Sequence, residues 1–191
     1  APPITIRFKW AAVSMEREVK LKVDDIAGLL ERLRELGASQ IGHRIQIDHY
    51  LDMEDGLLSS RGDALRIREE DGGSCFITYK GKLLNDELKL REELETRVGN
   101  CETMLEIMRR IGFTIKLTVK KVRDSYKVSY KGLKDVVVEV DQVEGLGSFI
   151  EIEVKGSMEV QGIRELAGML GVKWLPIREG YAEMLAKLRK H

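Results

Sequence analysis

Charged and apolar residues alternate along most of this 191-residue chain, and the alternation constrains the fold more than any other feature. In the segment FIEIEVKG, residues 149–156, the two glutamates share one parity and the two isoleucines share the other. Successive side chains of an extended strand point to opposite faces, so this segment would have one charged face and one apolar face. The pattern recurs along the chain and predicts a protein built mainly of strands.

The predicted strands span residues 15–23, 44–52, 63–70, 74–81, 86–98, 115–131, 134–143 and 148–155. We interpret the sixth segment as two strands with a bend near Asp124. Helical spacing occurs between Asp25 and Gly37, between Asn100 and Gly112, between Ser157 and Gly171, and from Tyr181 to Leu188. Strands and helices do not alternate regularly, which disfavours a parallel sheet. The predicted fold class is α+β, an antiparallel sheet or barrel of about eight strands with attached helices.

Charges of one sign recur in blocks on the charged faces. The acidic pairs are Glu16/Glu18, Glu93/Glu95, Glu139/Asp141 and Glu151/Glu153, and the basic pairs are Arg66/Arg68 and Lys121/Arg123. A solvated outer face is the simpler interpretation of any one strand, but such a face normally mixes the signs and pairs them across strands. The alternation blurs in KLTVKKVRDSY, where Val119 shares the parity of Lys121 and Arg123.

Blocks of like charge favour ligands of the opposite sign. Carboxylates suit Mg²⁺ or Mn²⁺, and blocks of arginine and lysine suit the oxygens of a polyphosphate. If the sheet closes, the charged faces line its interior, and the apolar faces lie outside under the amphipathic helices. We expect such an interior to be too charged to fold without a ligand, a metal or water inside it.

Composition bears on partners and location. The 32 basic and 32 acidic side chains cancel, which argues against non-specific binding to nucleic acid or to a membrane surface. No apolar run approaches the roughly 18 residues of a membrane span. Cys75 and Cys101 lack metal-site spacing and are interpreted as reduced thiols of a cytoplasmic protein. Residues 1–14 are predicted to be an N-terminal extension or tag-like segment, with an extra edge strand as the alternative, and residues 15–191 a single domain.

Short motifs follow one another in a recognisable order. EREVK, which begins at Glu16, has the pattern Glu-x-Glu-x-Lys, and after it come QIDHYLD, ALRIREE, ITYKG, REELET, KVRDSY, VDQVEGLGSFIEIE and REGYAEML. Over residues 15–186 this order resembles the CYTH superfamily, which groups class IV adenylyl cyclases with thiamine triphosphatases. The resemblance implies a triphosphate tunnel, in which eight antiparallel strands close into a barrel with helices packed outside.

The resemblance also implies roles for individual residues. Those expected to hold the triphosphate and to act in catalysis are Lys20, Arg66, Arg68, Lys80, Lys121 and Arg123. Arg91, on the charged face of its strand, is predicted to bind substrate as well. The expected metal ligands are Glu16, Glu18, Asp141, Glu151 and Glu153, with further contributions from Glu93, Glu95 and Glu139. A base or thiazole ring could be flanked by Tyr50, Tyr79, Tyr126 or Tyr181, although packing is the simpler role.

Two reactions would fit such a tunnel, each with Mg²⁺ or Mn²⁺ as cofactor and a triphosphate-bearing small molecule as partner. Water attacking the terminal phosphorus would make the protein a triphosphatase of inorganic or thiamine-like triphosphate. A ribose 3′-hydroxyl attacking the α-phosphorus would make it a class IV adenylyl cyclase that releases pyrophosphate. The hydrolase is favoured because the sequence shows no aromatic-rich adenine pocket. A non-catalytic sensor of polyphosphate or nucleotide is the third interpretation, and the protein is expected to be a monomer or a homodimer.

Overall fold

The structure, a computed structural model, describes residues 14–84, 89–130, 133–154 and 160–189; for residues 14–17, 89, 133–135 and 154 it describes the backbone only. The strands are β1 (Ser14–Lys22), β2 (Ser39–Met53), β3 (Ala64–Glu70), β4 (Ser74–Lys80), β5 (Lys89–Val98), β6 (Phe113–Tyr130), β7 (Leu133–Val143) and β8 (Gly147–Val154). The helices are α1 (Ile26–Glu35), α2 (Leu57–Ser60), α3 (Cys101–Arg110), α4 (Val160–Met169) and α5 (Tyr181–Leu188).

The eight strands form one antiparallel sheet in the order β1-β5-β4-β3-β2-β6-β7-β8. β1 joins the two ends of that order, because residues 14–18 pair with β5 and residues 18–22 pair with β8. The hydrogen-bonded strands therefore close into a barrel. The predicted α+β class, with eight antiparallel strands and a few helices, is confirmed.

The hydrophobic core lies between the barrel and the helices. Val19 of β1 is buried with Leu33 of α1 and Leu166 of α4 in the largest apolar cluster. Across the barrel, Ile67 of β3 packs with Met108 of α3. These apolar side chains occupy the outer face of the sheet, so the alternating charged side chains turn towards the interior.

One end of the barrel interior is apolar, and α5 packs there. Leu117 and Val119 of β6 and Phe149 of β8 share the inward parity of the charged residues, and they form a cluster with Tyr181 of α5. The rings of Phe149 and Tyr181 lie 5.2 Å apart, centre to centre. The blurred alternation around Val119 therefore marks the inner surface on which the C-terminal helix packs.

β6 corrects one prediction, because residues 113–130 form a single strand and not two strands bent near Asp124. The Asp124 carboxylate accepts a hydrogen bond from Gln40 Nε2 at 3.0 Å, and His43 Nδ1 lies 2.7 Å from it. These partners on β2 hold the residue within the strand. The irregularity nearest to Asp124 lies on β2, where the pairing register shifts between Gln40 and Gly42, and β6 has register shifts farther away, at Lys116 and between Val128 and Tyr130.

Two helices begin at the predicted caps. The side chains of Asp25 and Asn100 accept the backbone N–H groups of Gly28 and Thr103, at 2.9 and 2.7 Å. Ser157, after which the third helical segment was predicted, lies outside the described residues, as do residues 86–88 and residues 1–13 of the predicted N-terminal extension, so the domain boundary stays a prediction. Within the described ranges, none of the helices combines the length and apolar character needed to cross a membrane.

The two cysteines are not reduced thiols, so that prediction was wrong. Cys75 of β4 and Cys101 of α3 form a disulfide, with their Cα atoms 5.5 Å apart. They are separated by 26 residues, and their spacing in sequence gives no sign that α3 packs on the outer face of β3 and β4. The bond therefore ties α3 covalently to the barrel.

Denatured protein that has not been reduced should show no alkylatable thiol, and reduction should expose both cysteines. The disulfide restricts the unfolded chain, so we expect Cys101→Ser to lower the free energy of unfolding by about 2–4 kcal/mol. Mass spectrometry after alkylation measures the first quantity, and urea unfolding measures the second. Two alkylated thiols in unreduced protein would contradict the bond.

Candidate active site

A cavity of about 460 Å³ opens from the barrel interior between α5 and the loop that follows β2. Its basic lining residues are Lys20, Arg66, Arg68, Lys80, Arg91, Lys116, Lys121 and Arg123. Its acidic lining residues are Glu18, Asp52, Asp63, Glu93, Glu95, Glu151 and Glu183. All seven basic residues singled out in the sequence are among them, so five different strands bring these cations to one site.

Arg123 joins two carboxylates at the centre of this site. Its guanidinium donates two hydrogen bonds to Asp141, at 2.7 and 2.5 Å, and one to Glu151 at 2.5 Å. Lys20 stands opposite Glu151 in the pairing of β1 with β8, and its Nζ lies 3.2 Å from the Glu151 carboxylate. The strand register therefore places cations between acidic residues that form unrelieved blocks in the sequence.

Asp48 makes a similar contact from β2. Arg68 donates from Nε and from a terminal nitrogen to the two Asp48 oxygens, at 2.6 and 2.7 Å, and Arg66 lies 3.9 Å away. Burial raises the pKa of Asp48, but Arg68, Arg66 and Lys121 lower it by more, so the pKa lies well below its ordinary value of 3.8. Asp48 is 1% exposed and stays ionised beneath the two arginines.

Glu93 and Glu95 of β5 neutralise neighbouring cations on β3 and β4. Lys80 Nζ lies 3.0 Å from Glu93, and Arg66 lies 3.2 Å from Glu95. The Thr78 hydroxyl donates to Glu95 at 2.7 Å. Arg66 Nε is buried with no hydrogen-bond partner in the part of the chain that the structure describes. Arg66 therefore keeps one buried donor that the protein does not satisfy.

Tyr181 of α5 contacts the buried charged residues from the apolar end of the barrel, where α5 packs. Its hydroxyl donates to Asp141 at 2.8 Å, and the Nζ atoms of Lys20 and Lys121 lie 3.7 and 5.1 Å from the centre of its ring. Burial, together with the Glu151 and Asp141 carboxylates, holds the pKa of Tyr181 well above its ordinary value. The hydroxyl therefore remains a donor, and the residue does more than the predicted packing.

Cations are crowded at the inner end of the cavity. Lys121 Nζ lies 3.6 Å from Asp141. Burial, and then the neighbouring Arg123, lower the pKa of Lys121 to about 8. A strongly perturbed pKa in a cleft is typical of a functional site, and this one reflects burial first and the neighbouring positive charge second. An anion in the cavity would relieve the repulsion between the two cations.

The interior charges largely pair with one another, and the expectation that the barrel folds around a ligand, a metal or water stays a prediction. Acidic and basic side chains that belong to separate blocks in the sequence meet as pairs across the strands. Parity along one strand could not reveal these pairs, because they depend on the register between strands. The ion pairs themselves account for most of the compensation.

The carboxylates predicted to bind metal are unequally placed. Glu18 and Glu151 line the cavity, and Glu153 lies directly opposite Glu18 in the strand pairing. Asp141 does not line the cavity, and neither does Glu139, which accepts a hydrogen bond from a serine hydroxyl. The side chain of Glu16 lies outside the described ones. Among the described residues, no three Asp, Glu, His or Cys side chains converge as a metal site.

Asp52 and Asp48 are site residues that the sequence reasoning did not select. The Asp52 carboxylate accepts the backbone N–H groups of Met53, Leu58 and Ser59, at 2.8, 2.9 and 2.9 Å. It thereby fixes the loop between β2 and β3 and caps the short α2, which was not predicted. The signal was present, since QIDHYLD continues the alternation that placed other charged residues inside.

Comparison with known proteins gives a consistent family. The model of the CYTH domain matches residues 14–172. A Methanocaldococcus jannaschii protein, provisionally named an adenylate cyclase, is 37% identical over 139 residues, 73% of this chain and 76% of that protein. A solved Pyrococcus horikoshii OT3 protein is 32% identical with a TM-score of 0.80, over 91% of this chain and 99% of its own.

A more distant structure shares the fold. It is a solved Hippeastrum protein, provisionally called an adenylyl cyclase and described as having a dominant triphosphatase activity. Its TM-score is 0.67 at 21% identity, and the match covers 92% of this chain and 96% of the Hippeastrum chain. At that identity the likeness supports the fold and not the reaction.

Asp48→Ala should destabilise the protein by about 3–5 kcal/mol at pH 7, because it leaves Arg68 and Arg66 buried without their shared carboxylate. Urea unfolding measures the loss. Glu106→Ala is the control, since Glu106 also binds arginines but lies on an exposed helix face, where an ion pair contributes little. Equal losses in the two variants would contradict the buried pairing.

The contribution of Asp48 should also depend on pH. Its pKa is lower in the folded protein than in the unfolded chain. The ionised carboxylate therefore stabilises the fold at pH values above 3.8, the ordinary pKa of this group. That stabilisation is lost as the pH falls towards the folded pKa. The difference in unfolding free energy between wild type and Asp48→Asn should therefore shrink below about pH 4. Urea titrations at several pH values test this, and a difference that grows in acid would oppose it.

Proposed function

Because this chain belongs to the CYTH family, we propose that it is a metal-dependent triphosphatase that binds the triphosphate of a small molecule in the barrel cavity. The observation that carries the proposal is the convergence of seven basic side chains and several carboxylates on one cavity. Arginine binds phosphate oxygens with a planar fork, and lysine binds them as a point charge. Donors that come from five strands can surround a compact polyanion from several sides.

The cations are held in place before any ligand arrives. Arg68 is fixed by two hydrogen bonds to Asp48, and Arg123 is fixed by Asp141 and Glu151. Donors fixed in advance stabilise charge that develops in a transition state without having to reorganise. This arrangement supports phosphoryl chemistry as well as binding.

The carboxylates suit a divalent cation by type, because oxygen donors are what Mg²⁺ and Mn²⁺ prefer. Glu18, Glu151 and Glu153 would hold it, since the pairing of β1 with β8 sets them side by side, and Glu16 stands two positions before Glu18. A bound cation would withdraw charge from the phosphate oxygens. Glu151 contacts Lys20 and Arg123 at present, so its use as a ligand requires an anion to take over those cations.

In the proposed reaction, water attacks the terminal phosphorus and the remaining diphosphate is the leaving group. Lys20, Lys121 and Arg123 would stabilise the charge on the oxygens of the transferred group. Seclusion inside the barrel would limit competing solvent contacts with those oxygens. The cytoplasmic location, the absence of nucleic acid and membrane partners, and the monomeric or homodimeric state stay predictions beside this proposal.

Adenylyl cyclase activity is the second candidate, because the Methanocaldococcus relative bears that name. The same basic side chains would hold ATP while its 3′-hydroxyl attacks the α-phosphorus and pyrophosphate leaves. The two reactions differ in the nucleophile and in the position of the triphosphate. The same basic side chains could bind the triphosphate in either reaction.

A panel of inorganic triphosphate, thiamine triphosphate and ATP, each with Mg²⁺, with Mn²⁺ and with a chelator, separates the candidates. Phosphate released from at least one compound, and abolished by the chelator, is the expected result. Cyclic AMP and pyrophosphate from ATP, without phosphate release, would replace the triphosphatase by the cyclase. Tight binding without turnover across the panel would replace both by a sensor.

Lys20→Ala and Glu151→Ala should each lower kcat/KM by about 10²-fold or more while the circular dichroism spectrum is unchanged, because Lys20 would face the phosphates and Glu151 would hold the divalent cation. Lys120→Ala is the matched control, since Lys120 is exposed on the outward face of the strand that carries Lys121 inward. Full activity in both cavity variants would refute the mechanism.

A further inference from the structure

The cavity is larger and less uniform than a triphosphate site requires. At its inner end lie the charged residues of β1, β6 and β8, whereas its outer part, beside α5 and the β2–β3 loop, adds small or uncharged side chains to the charges of Asp52, Asp63, Lys116 and Glu183. The small or uncharged residues are Tyr50, Ser59, Ala64, Leu117, Ala182 and Ala186. Apolar and aromatic surface offers nothing to phosphate oxygens, but it is the usual lining for the organic part of a ligand.

The two parts of the cavity are separated along the strands. Leu117 precedes Lys121 by four residues on β6, which corresponds to about 13 Å. Tyr50 pairs with both Leu117 and Arg66 across neighbouring strands, so its ring lies at the junction between the cations and the uncharged part. A group attached to a triphosphate held by Arg66 would therefore lie beside Tyr50.

α5 forms one wall of the outer part of the cavity, and the side chains that it presents there are small. Ala182 and Ala186 are one helical turn apart, so they share a face, and both line the cavity. Tyr181 and Leu185 pack α5 against the apolar barrel end, which fixes the helix in place. Larger side chains at the two alanines would fill the cavity while the helix stayed docked.

The facing wall is equally fixed, and both walls carry carboxylates at their edge. Asp52 binds three backbone N–H groups of the β2–β3 loop, as described above. Asp63 on that loop and Glu183 on α5 both line the cavity. Carboxylates repel further phosphate but accept hydrogen bonds from ring nitrogens and amino groups. The outer part therefore favours a flat, nitrogen-bearing ring.

We infer that Tyr50, Ala182 and Ala186 form a subsite for the ring of a triphosphate ester, with Ala186 setting the size that fits. The inference rests on the proposed function, because the triphosphate must lie among the cations for its ring to reach this subsite. An aromatic side chain beside a flat ring contributes stacking, and alanines on the facing helix leave the space for it. The preferred substrate is then a ring-bearing ester and not inorganic triphosphate.

Isothermal titration calorimetry with a chelator present, which prevents metal-dependent turnover, tests the subsite. ATP, thiamine triphosphate and inorganic triphosphate are titrated into wild type, Ala186→Leu, Ala186→Ser and the exposed control Leu188→Ala. Leucine keeps a high helix propensity, so the larger variant should fold. We expect Ala186→Leu to weaken at least one ring-bearing compound tenfold or more and to change inorganic triphosphate less than twofold.

Ala186→Ser preserves the space and should bind all three compounds like wild type, as should Leu188→Ala. Equal weakening of all three compounds by Ala186→Leu, or weakening of none, would overturn the subsite while leaving the proposed function intact. Wild type that binds inorganic triphosphate but neither ester would overturn it too. Wild type that binds none of the three with the chelator, and turns over none of them with Mg²⁺ or Mn²⁺, would overturn the proposed function itself.

Discussion

The pairing of opposite charges inside the barrel is the constraint on which the rest of the structure depends. Burying a charge is costly unless a partner and hydrogen bonds compensate for the lost water. Arg123 satisfies Asp141 and Glu151 together, and Asp48 does the same from β2 for Arg68. Each pair is set by the register of neighbouring strands, so closure of the barrel and neutralisation of its interior are one event.

Because one end of the barrel interior is apolar, the two ends of the cavity differ in the side chains that they present. α5 packs on Leu117, Val119 and Phe149, and the buried ion pairs lie beyond this apolar cluster. Tyr181 belongs to both regions, since its ring packs against Phe149 while its hydroxyl binds Asp141. On the proposed function, a triphosphate ester would meet the cations with its phosphates and the surface of α5 with its organic part.

Alternation along single strands predicted which residues face inward, but it could not predict what each residue meets. The seven basic residues were found by parity and motif, and they line one cavity because strands keep a period of two. Asp48 shares this alternation and was overlooked, but its pairing with Arg68 on another strand could not be predicted from it. The disulfide of Cys75 with Cys101 was missed for a similar reason, because it depends on the packing of α3 against the sheet.

The same pairing suggests why a cage of cations and a set of carboxylates occupy one cavity. Glu151 is engaged by Lys20 and Arg123, which are also the cations that a triphosphate would attract. On the proposed function, an anion that takes over those two cations removes positive charge from the buried Glu151, and such a carboxylate favours binding a cation in their place. Binding of either ligand should then favour the other, since coupling between two ligands is reciprocal. The interior ion pairs would thus keep the site stable when empty and selective for anion and metal together.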